Sequence, residues 1–239
     1  MKKPNYLKGL RVVLAILIFV PILLFFVDFA DVLPDNLHTL LHLQIMPAIL
    51  GGMAGVVVFQ FVLALLLGRI YCSVICPAGV LQDIINRVFC IGKKKKKGVR
   101  RFSYHKPMNI LRYSILGLTF VLAVFGMIEL CTLLDPYSNF GRIASNLSRP
   151  VVMWVNNLLA DGLARMDNYT LYHVTISNVT VFGVISALVA LLVFIIMVVF
   201  RGRLFCNTLC PVGTLLSLIS RYSFFRISFD KEACTHCGN

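Results

Sequence analysis

The chain has 239 residues, 59% of them hydrophobic and 14% charged, with a formal net charge of +13. A soluble domain of this size carries about 25% charged and 45–50% apolar residues, and a mean hydropathy of +0.85 exceeds what one water-soluble core can hide. These values exclude an ordinary cytosolic globule and a disordered or collagenous chain, and they assign the basic excess to the flanks of membrane spans rather than to nucleic acid.

Lys2, Lys3, Lys8 and Arg11 lead into the first apolar stretch, 10–27. It starts like a signal peptide, but the bulky Phe26-Val27-Asp28-Phe29 offers no cleavage site, so it reads as a retained span. Further stretches near the ~20 residues that cross a bilayer lie at 47–67, 110–134 and 179–200. The expected fold is therefore all-α, with four transmembrane helices. Glu129 and Cys131 near the end of the third span fit an interface or a protein-facing position.

Charge sets the expected direction. The N-terminus, the 68–109 connection with Arg112, and the tail from Arg201 hold 20 of the 23 Lys and Arg residues, a local balance of +17. The other side carries −4. The positive-inside rule then places both termini in the cytoplasm of a bacterial inner membrane. The five-lysine run 93–97 is read as a topology anchor that also touches anionic lipid headgroups.

On the outer side, His38 and His42 form an i, i+4 pair beside Gln44. Such a pair could ligate a metal or haem, or help hold a quinol headgroup, but a plain interfacial pair is the favoured reading. The long connection 135–178 carries Val151, Val155, Leu158 and Leu159 at helical spacing, which predicts a short interfacial helix. His105, His173 and His236 are assigned no role, and the sequons at Asn146, Asn168 and Asn178 are read as chance.

The cysteines carry the chemistry. Residues 68–79 (GRIYCSVICPAG) align without gaps on 202–213 (GRLFCNTLCPVG), offset by 134 positions. Each block follows a span and precedes an amphipathic stretch, 80–89 or 214–224. The chain thus divides into two tandem parallel repeats, 1–107 and 108–228, and a tail, 229–239. If the Cys-x3-Cys segments are helical, Cys72 and Cys76, and likewise Cys206 and Cys210, share one face about 5–6 Å apart. That spacing suits a soft metal or an iron–sulfur cluster better than a disulfide. Pro77 and Pro211 should break the backbone and free amides to point at sulfur, and Gly79 and Gly213 should permit a sharp turn. Arg69 and Arg203 could stabilise thiolates. Cys90 and Cys131 have no counterpart in the other repeat and read as packing residues. In the tail, Cys234 and Cys237 form a Cys-x2-Cys followed by Gly, the opening of a bacterial ferredoxin loop. The chain stops where a third cysteine would fall, so a longer natural protein is expected.

The doubled motif, four spans and incipient ferredoxin loop resemble the membrane iron–sulfur, polyferredoxin-type family, which includes NapH-type quinol dehydrogenase components and the membrane domain of NosR-type regulators. Two further stretches, 42–47 (HLQIMP) and 135–142 (DPYSNFGR), share in the resemblance with less specificity. The resemblance implies electron transfer from quinol or another carrier to redox partner proteins through 4Fe-4S clusters. Carried over, Cys72, Cys76, Cys206 and Cys210 are the membrane redox motif, and Cys234 and Cys237 begin a ferredoxin cluster site. Pooled, the first four supply enough ligands for one cluster or one tetrahedral metal. Copper handling at the paired cysteines and a dithiol relay remain as alternatives.

Overall fold

A computed structural model describes residues 6–30, 33–34, 44–91, 108–165, 170–175 and 180–225. These residues are helical, with no strand among them. In chain order they form α1 (Tyr6–Val27), α2 (Ile45–Leu50), α3 (Ala54–Leu67), a π-helical segment (Tyr71–Ile75) and α4 (Pro77–Ile91). There follow α5 (Asn109–Val124), α6 (Ile128–Leu134), α7 (Pro136–Ile143), a second π-helical segment (Ala144–Ser148), α8 (Arg149–Ala164) and α9 (Val181–Arg201). Two short helices, α10 (Leu204–Thr208) and α11 (Pro211–Ile219), close the described chain with a 3-10 turn, Ser220–Tyr222.

Among the described residues two helical stretches are long and apolar enough to cross a membrane, Gly9–Val27 and Val181–Phe200. The other two expected spans are interrupted. Gly52 (φ 67°) separates α2 from α3, and Gly126 (φ 74°) separates α5 from α6. A methionine follows each glycine, and its amide reaches back to a carbonyl five residues earlier, Met53 to Ala48 and Met127 to Leu122, both at 2.9 Å. Both glycines occupy the left-handed region that closes a helix end, a signal that mean hydropathy cannot register. The apolar helices α3 and α5 that remain are 14 and 16 residues long. The 135–178 connection contains the helix α8, on which Val151, Val155, Leu158 and Leu159 are exposed.

The helix before each motif ends on a left-handed glycine, α3 on Gly68 (φ 71°) and α9 on Gly202 (φ 69°). The chain then doubles back. Phe205 stacks on Phe194 of α9 with ring centroids 4.6 Å apart. Tyr71 reaches the start of α2, where its hydroxyl donates to Gln44 Oε1 (2.9 Å) and accepts from the Ile45 amide (3.2 Å). Gln44 also donates to the Ile75 carbonyl (3.1 Å), so this fully buried side chain clamps the first motif. Both motif segments therefore lie inside one core, among Ile22, Ile45, Phe140, Phe194 and Val198. The π-helical segment packs on α1, α4 on α7 and α9, and α11 on α3 and α5. Finally Phe224 and Phe225 donate to the Leu65 and Leu66 carbonyls, capping the C-terminal end of α3.

Candidate functional site

The two Cys-Pro corners share one backbone conformation. Cys76 and Cys210 both have φ −75° and ψ 116°, and the proline that follows starts a helix at its first position, where a missing N–H costs nothing. The Cys210 sulfur accepts from the Gly213 amide at 3.1 Å, whereas the Gly79 amide donates to the Cys76 carbonyl at 3.1 Å and lowers the Cys76 thiol from nearby. At the second corner a freed amide thus meets sulfur, at a helix N-terminus that favours negative charge. The glycines have another role than the sharp turn expected of them. A Cβ at Gly79 would overlap the Cys72 carbonyl oxygen, and one at Gly213 the Cys206 carbonyl oxygen. They let each new helix start against the preceding cysteine.

Side chains from each copy serve the other. Arg69 donates to Asn207 Oδ1 (2.9 Å), and Arg203 binds both oxygens of Asp83, with Nε to Oδ1 at 2.8 Å. Asp83 also lies 3.7 Å from Arg11 of α1. Gln82, fully buried, donates to the sulfur of Cys206 at 3.4 Å. At the position of α11 equivalent to Asp83, Ser217 accepts from Arg112 of α5 at 2.6 Å. In both halves, then, an arginine of the leading helix meets the helix that follows the motif.

Cys72, Cys76, Cys206 and Cys210 are free, buried and part of one core cluster. Burial pushes the Cys72 thiol up to about 12, and the proximity of Cys206 adds to this. Burial raises Cys76, Cys206 and Cys210 as well, with the neighbouring thiols opposing ionisation at Cys76 and Cys210. Arg69 and Arg203 work against this rise at Cys72 and Cys206. Desolvation disfavours the charge of Arg203, but its bonds to Asp83 outweigh that and hold it firmly cationic. The four buried thiols beside two guanidiniums therefore hold their protons when nothing is bound to them, and ionise together only at the cost of mutual repulsion.

Among the described residues no three His, Cys, Asp or Glu side chains close on a single metal ion. An iron–sulfur cluster holds its thiolates further apart than one ion does. The soft donor set, its exclusion from water and its flanking arginines fit such a cluster. Cys234, Cys237, His38, His42 and His236 lie outside the described residues, as does the side chain of Cys90. Cys131 is buried and donates to the Thr119 carbonyl (3.6 Å), a packing role. Gln44 holds Tyr71 and the Ile75 carbonyl of the first motif. Sequence reasoning passed over Gln82, Asp83, Asn207 and Arg112. Their signal was the difference between copies, since Gln82-Asp83 stands where the second copy has Leu216-Ser217.

The family model of a 4Fe-4S binding domain matches residues 46–98 and 184–232, which include one Cys-x3-Cys pair each. The ferredoxin-type methylamine utilization protein MauN of Paracoccus denitrificans is 25% identical over 194 residues, covering 80% of this chain and 53% of that protein. YccM of Escherichia coli, provisionally named an electron transport protein, is 26% identical over 197 residues, or 81% and 46% of the two chains. An uncharacterized protein of Methanocaldococcus jannaschii is 23% identical over 192 residues, or 78% and 63%. The chain thus spans about half the length of the curated relatives it matches, 46–63%. No solved structure matches it. These likenesses support a place among iron–sulfur, ferredoxin-type proteins, and none of these names refers to copper.

Proposed function

We propose that this chain is a membrane electron carrier in which Cys72, Cys76, Cys206 and Cys210, two from each repeat, hold one 4Fe-4S cluster. The observation that carries the reading is the gathering of four free thiols, 134 positions apart in pairs, into a single buried core cluster. The matched 4Fe-4S ranges enclose those four residues, and the relatives named for ferredoxin-type and electron transport roles support electron transfer. When bound, the cluster supplies one-electron acceptance and donation. The chain's own residues exclude water from it, offset its negative charge through Arg69 and Arg203, and fix its ligands through the Gly213 amide and the Gln44–Tyr71 clamp.

The carrier sits in a bacterial inner membrane with both termini cytoplasmic. Leu14, Leu17, Leu188 and Leu192 expose apolar surface on α1 and α9, and only 17% of each spanning window is buried within the protein. A helix of a soluble core would be mostly buried, whereas outward apolar faces suit lipid. Electrons pass between the quinol pool, or another carrier, and redox partner proteins, and Cys234 and Cys237 open a second, ferredoxin-type cluster site in the tail. Anaerobic purification from membranes, with iron, acid-labile sulfide and copper determination and EPR, tests the proposal. Iron and sulfide in cluster proportion with a reducible EPR signal are expected. Stoichiometric copper without sulfide would replace the proposal with metal delivery.

A further inference from the structure

We infer that Gln82 is a positioning residue that raises the reduction potential of the site by a hydrogen bond from one repeat to the sulfur of the other. The inference rests on the reading that the four thiols hold an iron–sulfur cluster. Gln82 stands on α4, the helix after the first motif, and its Nε2 donates to Cys206 of the second motif at 3.4 Å. Its residue is 1% exposed, and its Oε1 is buried with no hydrogen-bond partner among the described residues. Packing alone does not explain a half-satisfied amide at that depth. The equivalent position, 134 residues on, is Leu216, equally buried and wholly apolar. One copy fills this place with hydrocarbon, so the other has no steric need of an amide.

The amide N–H is therefore the functional part. A metal-bound thiolate accepts hydrogen bonds and donates none, so a ligated Cys206 selects the orientation that presents the N–H. Hydrogen bonds to cluster sulfurs draw electron density from the metal and favour the reduced state, and net charge and solvent exposure act beside them. The same neighbourhood is already cationic through Arg69 and Arg203, which face Cys72 and Cys206. Because Leu216 offers no N–H, this side-chain hydrogen bond is made to the second copy alone, beside the backbone bond from Gly213 to Cys210.

The test is a redox titration, followed by EPR, of the full-length protein purified anaerobically from membranes, comparing wild type with Gln82→Leu. Iron and sulfide content should be kept, while the midpoint falls. The expected size is about a tenfold drop in the ratio of reduced to oxidised protein at fixed potential, equal to about 59 mV for one electron. Gln82→Met, unbranched and of similar length, should give the same fall and serves if the leucine variant does not assemble. Loaded variants whose midpoints equal the wild type would overturn the inference and leave the cluster reading intact. A wild type devoid of iron and sulfide would overturn the cluster reading itself, and the inference with it.

Discussion

At the scale of single residues, the glycines of the Cys-Pro-x-Gly corner are steric rather than torsional. Gly79→Ala or Gly213→Ala drives a methyl group into the carbonyl of the preceding cysteine. Overpacking of this kind costs about 1–3 kcal/mol, more than the ~1 kcal/mol an alanine gains in helix propensity. Both variants should therefore lose thermal stability and bound iron. Gly117→Ala on α5, which meets open space, should be neutral or stabilising in the same melting assay. A second prediction follows from the thiols. In cluster-free protein, Cys72 titrates near 12 rather than at its ordinary 9.0. The folded state then keeps a proton that the unfolded state releases, so its contribution is complete below pH 9 and is lost as pH rises toward 12. Denaturation of the cluster-free protein in detergent, followed against pH, should show stability declining across that window.

At the scale of elements, the motifs are positioned by the way α3 and α9 end. Gly68 and Gly202 adopt positive φ and turn the chain back into the bundle, a conformation that costs other residues about 1–2 kcal/mol. Gly202→Ala should lower the melting temperature and loosen the Phe194–Phe205 stack, visible as faster hydrogen exchange in α10. The fastening between copies can be probed at Asp83, which binds Arg203 at both oxygens and lies near Arg11. Asp83 and Arg203 are about one-third exposed, so Asp83→Asn should cost only about 1 kcal/mol after solvent screening. These elements also show how far sequence reasoning reaches. The helical class and the Cys-Pro corners were legible because each rests on local spacing. The breaks at Gly52 and Gly126 were not, because a window average of apolar residues does not weigh one left-handed glycine. The inward fold of the motifs was equally hidden, since it depends on Gln44, Phe194 and Phe140, residues far from the cysteines in sequence.

At the scale of the whole molecule, the doubled motif orders the layout. Each motif copy brings two cysteines, an arginine before them and an amphipathic stretch after them, and neither pair supplies the four ligands of one cluster. The exchange of Gln82, Asp83, Arg69 and Arg203 across the motifs makes the site a property of both copies together. The split of charge, +17 on one side and −4 on the other, predicts that reporters fused at the N-terminus and within 93–107 respond as cytoplasmic, and that a reporter within 166–169 responds as external. The central claim is the pooling of ligands, and one measurement addresses it directly. In full-length protein with Cys234 and Cys237 replaced by serine, iron, sulfide and EPR signal are compared before and after the single change Cys206→Ser. The cluster signal of the intact motifs should collapse although Cys72 and Cys76 are untouched. Half of the iron and signal surviving the change would mean two independent sites, and would contradict the claim.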